Sequence, residues 1–225
     1  MWATIAALAL SAHPKWAIVQ SDNRSDAPMV TISAYSYARF AGNINASYYH
    51  YTCNAKLAKP KLVESLCHRH DLILWADSDS VARPQLARDF QRHVLGHVRR
   101  KPELQLLFGV DYYETNQKVH KATSPYLGMF NAGVFVAVCP AARLLLNEWA
   151  YYAALIHPSS DQIAIQTMAQ QNSIWRSNIF WDFRIFGVHS AYFDHYPGMY
   201  RKNFPLNQTV AAVPYKRRKC RWIKT

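Results

Sequence analysis

Short apolar runs of strand length alternate along this chain with longer stretches whose apolar positions recur every three or four residues. KWAIVQSDN predicts a buried strand followed by a polar loop through Pro28. MVTISAYSYARFAG predicts a helix closed by Gly42, and ASYYHYTC alternates as a strand does. KPKLVESLCHRH, starting after Pro60, puts Leu62, Leu66 and Cys67 on one helical face. DLILWAD is again an apolar run of strand length with polar bounds. After Pro84, Leu86, Phe90, Val94 and Val98 keep helical register. ELQLLFGVD and AGVFVAV predict two more strands. PAARLLLNEWAYYAALIH predicts a helix with Pro140 near its first turn, and SSDQIAIQTMAQQ one capped by Ser159 or Ser160. From Ser173 the order becomes irregular, and aromatic residues dominate as far as Tyr200.

Strands that alternate with helices predict an α/β fold with a mostly parallel central sheet flanked by helices. No internal repeat or low-complexity segment interrupts it. The expected division is an N-terminal segment over 1–14, one domain over 15–204 and a basic tail over 205–225. In open α/β sheets ligands bind beyond the carboxyl ends of the strands. Residues that close an apolar run are therefore the first place to look for chemistry.

Composition narrows the classes. A chain of 225 residues, half of them hydrophobic, is long enough for one sizeable core and too apolar for disorder. Its 26 Lys and Arg against 14 Asp and Glu give a net charge of +12, which favours an anionic partner. Much of that surplus sits in YKRRKCRWIK, read here as a solvated basic tail; no nucleic-acid-binding signature accompanies it. The four cysteines form no C-x-x-C pair, which argues against zinc held by thiolates. Cys67 and Cys139 lie among apolar residues and read as core thiols, while a disulfide, for example one involving Cys53, stays open. MWATIAALALSA is too short to cross a bilayer and serves equally as a signal-like segment or a first element. Sequons at Asn23, Asn45 and Asn207 matter only in a secretory compartment.

In a chain this poor in acid, LILWADSDS stands out: the apolar run ends in two aspartates, Asp77 and Asp79, one residue apart. Two ionised carboxylates beside a buried strand repel each other unless a cation compensates. A divalent ion with a taste for oxygen, Mg²⁺ or Mn²⁺, is the natural partner, and it would neutralise a diphosphate. The plainer alternative is that one aspartate caps the following turn, helped by Ser78 and Ser80.

LILWADSDSVARP resembles the D-x-D segment of GT-A (Rossmann-like) glycosyltransferases, and most nearly the retaining galactosyl- and xylosyltransferase family, more loosely the glycogenin-like one. The resemblance spans roughly residues 16–202 and implies a nucleotide-diphosphate sugar donor, UDP- or GDP-linked, with Mn²⁺ or Mg²⁺ on Asp77 and Asp79. KPKLVESL resembles the preceding helix, where Lys61 would approach the nucleotide. MFNAGVFVAV resembles the N-[TA]-G-V-F strand, so Asn131, Ala132 and Gly133 would line the sugar pocket. SSDQIAI would set Asp161 and Gln162 beside the transferred sugar. HYPGMYRK resembles the H-x-x-G-x-x-[KR] segment, with His195 as third metal ligand. Gly198 would allow backbone approach to the diphosphate, and Arg201 and Lys202 would neutralise it. His189 is the rival histidine. The resemblance also implies retention of configuration, a glycan or glycoprotein acceptor and a secretory, Golgi-type lumen.

Each candidate has a plainer role beside it. Asp161 and Gln162 suit a helix N-terminus on charge grounds alone, and Asn131 suits a turn. Trp149, Phe135, Leu145 and Tyr152 read as packing residues. Trp175, Trp181 and Phe183 serve either as packing or as a stacking surface for an acceptor sugar. Three rival functions stay in view. A sugar nucleotidyltransferase is disfavoured because VQSDNRSDAP holds no glycine. A catalytically degenerate glycan-binding domain is disfavoured by the intact acidic pair. A nucleic-acid binder predicts steep salt dependence.

Overall fold

The computed structural model describes residues 11, 13–22, 28–53, 55–110, 130–158, 160–182, 184, 191–195 and 217–219. In chain order the elements are β1 (Trp16–Ser21), α1 (Pro28–Asn43), β2 (Ser47–Thr52), α2 (Ala55–Leu66), β3 (Leu72–Ala76) and β4 (Ser80–Ala82). A 3-10 turn (Pro84–Leu86) leads into α3 (Ala87–Arg100), followed by β5 (Leu106–Val110), β6 (Phe130–Val138) and α4 (Arg143–Tyr151). Tyr152–Ile156 continue α4 as a wider π-helical turn; then come α5 (Asp161–Gln171), α6 (Ser173–Asn178), β7 (Ile179–Trp181), β8 (Phe193–His195) and β9 (Arg217–Lys219).

Seven strands form one sheet in the order β7-β5-β6-β3-β1-β2-β9. β6 alone runs antiparallel to its neighbours β3 and β5; the remaining pairings are parallel. The expected α/β architecture with a mostly parallel, helix-flanked sheet is therefore what the chain builds. A small antiparallel ribbon, β4 with β8, stands apart from it.

Strand periodicity explains the layers. Alternate residues of a strand face opposite sides, and a sheet covered on both faces needs apolar residues on both. Ala17, Val19, Ile73 and Trp75 face a core built with Leu62, Phe135, Trp149 and Met168. Trp16, Ile18, Leu72 and Leu74 face a second core with Phe40, Phe90, Val94 and Phe193. β1 and β3 are buried along their whole length, which is why they read as unbroken apolar runs. α3 buries Phe90 and Val94 as its spacing predicts, with Leu86 and Val98 half-buried beside them.

Several expectations need correction. α2 does not start after Pro60; it starts at Ala55 and takes the proline inside. α1 runs one residue past Gly42, and the left-handed residue behind it is Asn45, at φ 53°. Pro140 precedes α4 by three residues rather than sitting in its first turn. The stretch after Ser173 is ordered as α6 and β7. Cys67 and Cys139 are not core thiols but a disulfide, and Cys53 is disulfide-bonded as well. The basic tail is not wholly a solvated one: Arg217, Arg218 and Lys219 pair with His50, Tyr51 and Thr52 as an edge strand. Its Arg218 guanidinium lies 4.5 Å from the Tyr49 ring centre, so packing as well as pairing holds it.

Candidate active site

β3 delivers the acidic pair. Its last residue, Ala76, pairs with Val134 of the antiparallel β6, and the next amide, Asp77, donates to the Gly133 carbonyl at 2.7 Å. The carboxyl end of β3 and the amino end of β6 therefore meet at one edge. The turn that follows is pinned. Ser80 Oγ donates to the Asp77 carbonyl at 2.6 Å, so the buried Tyr37 hydroxyl, 2.9 Å from Ser80 Oγ, acts as donor to Ser80. Ser78 Oγ donates to Asp22, the residue that follows β1. Ser36 Oγ on α1 accepts from the Ala82 amide at 2.9 Å. D-S-D-S is thus a braced turn whose serines serve as hydrogen-bonding ties.

At the centre of the site is a lysine that the sequence reading passed over. Lys59, 2% exposed, reaches from α2 to Asp77 Oδ1 at 3.1 Å, to the Ala132 carbonyl at 2.8 Å, and into an ion pair with Asp161 Oδ2. The Trp75 indole N–H donates to Asp77 Oδ1 at 2.8 Å. Burial alone would lower the Lys59 ammonium, but Asp161 and then Asp77 overcome it and hold its pKa above the ordinary value. Asp77 is pushed up to about 6, first by burial; Lys59 opposes that rise, and the neighbouring Asp79 and Asp161 add to it.

β6 and α5 complete the cluster. The Asn131 side chain accepts from the Gly133 amide at 2.6 Å, and Gln162 Oε1 lies 3.4 Å from the Ala132 amide. Ser160 caps α5 by accepting from the Ile163 amide at 3.2 Å, one of the two caps expected. This cap sets Asp161 and Gln162 at the start of the helix, where the Trp149 indole also donates to the Asp161 carbonyl at 2.8 Å. Trp149, Phe135 and Leu145 are core residues, as expected. Trp175 packs half-buried against the core, and Trp181 remains partly exposed.

The fold thus brings together Asp77, Asn131, Gly133, Asp161 and Gln162 around Lys59, with the buried Asp79 close enough to act on Asp77. Lys61 stands outside. It is exposed, and its ammonium donates to Asn147 on α4 at 2.8 Å. Two residues along a helix is a turn of about 200°, so when Lys59 faces inward Lys61 cannot. Of the two lysines of α2 that flank Pro60, the fold brings Lys59 to the acidic cluster. His195 ends β8, and its backbone lies opposite Ser80, one residue past Asp79. Arg83 ties that ribbon, giving Nη2 and Nε to Asp194 at 2.6 and 3.3 Å and Nη1 to the Ala191 carbonyl at 3.1 Å. Gly198, Arg201, Lys202, His189 and Phe183 lie outside the described residues.

The residues present suit a hard divalent cation. Asp77 and Asp161 share one ammonium, that of Lys59, and the buried Asp79 stands close enough to act on Asp77. Carboxylate oxygens are ligands that Mg²⁺ and Mn²⁺ favour.

No protein-family model matches the chain, and no curated protein sequence matches it. Solved structures do. A glycosyltransferase involved in the glycosylation of the major capsid of PBCV-1 superposes with a TM-score of 0.63 at 11% identity, over 84% of this chain and 96% of that one. The chain has the GT-A fold. The galactosyltransferase LgtC, in complex with donor and acceptor sugar analogs, matches at a TM-score of 0.49 and 12% identity, over 82% and 87% of the two chains. Within the GT-A fold, the braced acidic turn lies at the carboxyl end of β3, the end at which open α/β sheets take ligands.

Proposed function

We propose that this chain is a metal-dependent glycosyltransferase. It moves a hexose or pentose from a nucleotide-diphosphate sugar, UDP- or GDP-linked, to a hydroxyl of a glycan or glycoprotein, with retention of configuration. One observation carries the reading: a GT-A sheet whose β3 ends in the Asp77–Asp79 pair, gathered with Asp161 around the buried Lys59. Asp77 and Asp79, with His195 as a third ligand, would hold Mn²⁺ or Mg²⁺. When bound, the ion supplies the charge that makes a diphosphate a good leaving group.

The chain's own residues do the rest. Lys59 fixes the Asp77 and Asp161 carboxylates against the β6 backbone, so the cluster is set before a donor arrives. Asn131 braces the Gly133 amide and keeps the β6 backbone open to the sugar. Asp161 and Gln162 border the sugar; the Asp161 carboxylate stabilises positive charge that develops at the anomeric carbon. The bond from that carbon to the diphosphate oxygen breaks, the acceptor hydroxyl bonds to the same face of the carbon, and its proton passes to the departing diphosphate oxygen, whose charge Arg201 and Lys202 would offset.

The test is turnover of a panel of nucleotide sugars with Mn²⁺ or chelator, following nucleoside diphosphate release. Metal-dependent release from one donor supports the proposal. Pyrophosphate release from a nucleoside triphosphate and a sugar 1-phosphate would instead make the chain a nucleotidyltransferase. No turnover, with glycan binding retained, would leave a degenerate binding domain.

A further inference from the structure

A second cluster lies at the same edge of the sheet, three strands from β3, or roughly 14 Å at ordinary strand spacing. His93 and His97 occupy one face of α3 at the i, i+4 spacing that brings side chains together. Their Nε2 atoms both converge on Asp182 Oδ2, the residue just past β7, at 2.8 and 2.7 Å. The aspartate is held from behind. Its other oxygen accepts from the Arg184 amide at 2.7 Å, and its own amide donates to the Phe108 carbonyl at 2.9 Å. Among the described residues this trio is a set of three metal-ligating side chains whose donor atoms lie within 4.8 Å of one another.

We propose that His93, His97 and Asp182 form a site for a borderline transition-metal cation of the Zn²⁺ type, fastening the end of β7 to α3. Two imidazole nitrogens and one carboxylate oxygen are a Zn²⁺ donor set, richer in nitrogen than the pair Asp77 and Asp79. Tetrahedral Zn²⁺ with bonds near ~2.0 Å needs ligand separations of roughly 3.3 Å, so each imidazole retreats about half an ångström. The room exists: the side chains keep 16%, 16% and 11% of their exposure, which leaves a face for a water as fourth ligand. The ligands sit on rigid elements, and the hydrogen bond to Oδ1 leaves Oδ2 as the ligating oxygen, as outer partners do in metal sites. The two rings lie together, their centroids 5.0 Å apart, as two ligands of one ion would.

The test is calorimetric titration of chelator-stripped, tag-free protein with ZnCl₂, with Co²⁺ visible absorption as a reading that needs no variant. The expected result is one Zn²⁺ per chain, tetrahedral Co²⁺ bands and a raised melting temperature, all retained in Asp79→Ala. In His97→Ala or His93→Ala the affinity falls by at least about 100-fold, with an unchanged far-ultraviolet spectrum. Wild-type protein that is folded yet takes up no Zn²⁺ at micromolar concentration would overturn the proposal, as would equal binding by both histidine variants. Because Asp79→Ala keeps this site and removes the acidic pair, its failure is separable from failure of the glycosyltransferase reading.

Discussion

Replacing Lys59 by methionine removes one ammonium and keeps most of the side-chain volume. Among the described residues it leaves Asp161 and Asp77 without their ion-pair partner, and the Ala132 carbonyl without that donor. Breaking a buried pair by removing one partner costs about 3–5 kcal/mol. The lower figure applies because the Asp77 side chain keeps 30% of its exposure, although Asp161 keeps only 12%. At ~2–4 °C per kcal/mol for a chain of this size, a loss of about 3 kcal/mol lowers the melting temperature by roughly 6–12 °C. Lys61→Met is the internal control: it removes an exposed ammonium with one surface hydrogen bond, and its effect stays within about 0.5 kcal/mol. Both variants are followed by thermal circular dichroism at pH 7.5 in chelator. Equal melting temperatures for the two would refute the claim that Lys59, and not Lys61, holds the cluster together.

Other consequences can be checked separately. Arg83→Ala cuts the tie between β4 and β8; for a half-exposed pair the stability cost is only about 0.5–1 kcal/mol, while donor affinity measured with Mn²⁺ falls because His195 is no longer registered on Ser80. Replacing both Cys67 and Cys139 by alanine opens a link across 72 residues, and loop entropy puts the loss near ~4 kcal/mol in denaturant titrations. Burial, with the Arg69 charge next to it, holds the His70 pKa below its usual 6.5. The unfolded chain therefore takes up a proton near 6.5 that the folded chain takes up only at lower pH, so folding weakens as pH falls through that window. His70→Gln should flatten this part of the stability–pH curve, and an unchanged slope would remove the histidine from the account.

The alternation of strands and helices was legible because β1 and β3 are covered on both faces and so appear as unbroken apolar runs. The acidic pair was legible for the same reason: charge at the end of a buried run is costly and needs a purpose. What escaped depends on long-range geometry. Pro60 looked like a helix start because proline favours the first turn, yet α2 takes it inside, and the turn before it carries Lys59 to the cluster. β7 and β9 are only three residues each, too short for alternation to show, and only their neighbours make them strands. The Cys67–Cys139 bond joins two apolar segments that nothing local connects. His93 and His97 carried a readable signal in their spacing, but the third member, Asp182, comes to them only through the sheet.

The central claim is that Asp77 and Asp79 form a cation site for a diphosphate. Its most direct test is calorimetric titration of UDP- and GDP-sugars into wild type and Asp79→Ala, each with Mn²⁺ and with chelator. The account predicts that wild type binds one donor with Mn²⁺, loses it in chelator, and that Asp79→Ala, still cooperatively folded in chelator, binds none. Equal donor binding by folded wild type and Asp79→Ala, or binding indifferent to the metal, would contradict it.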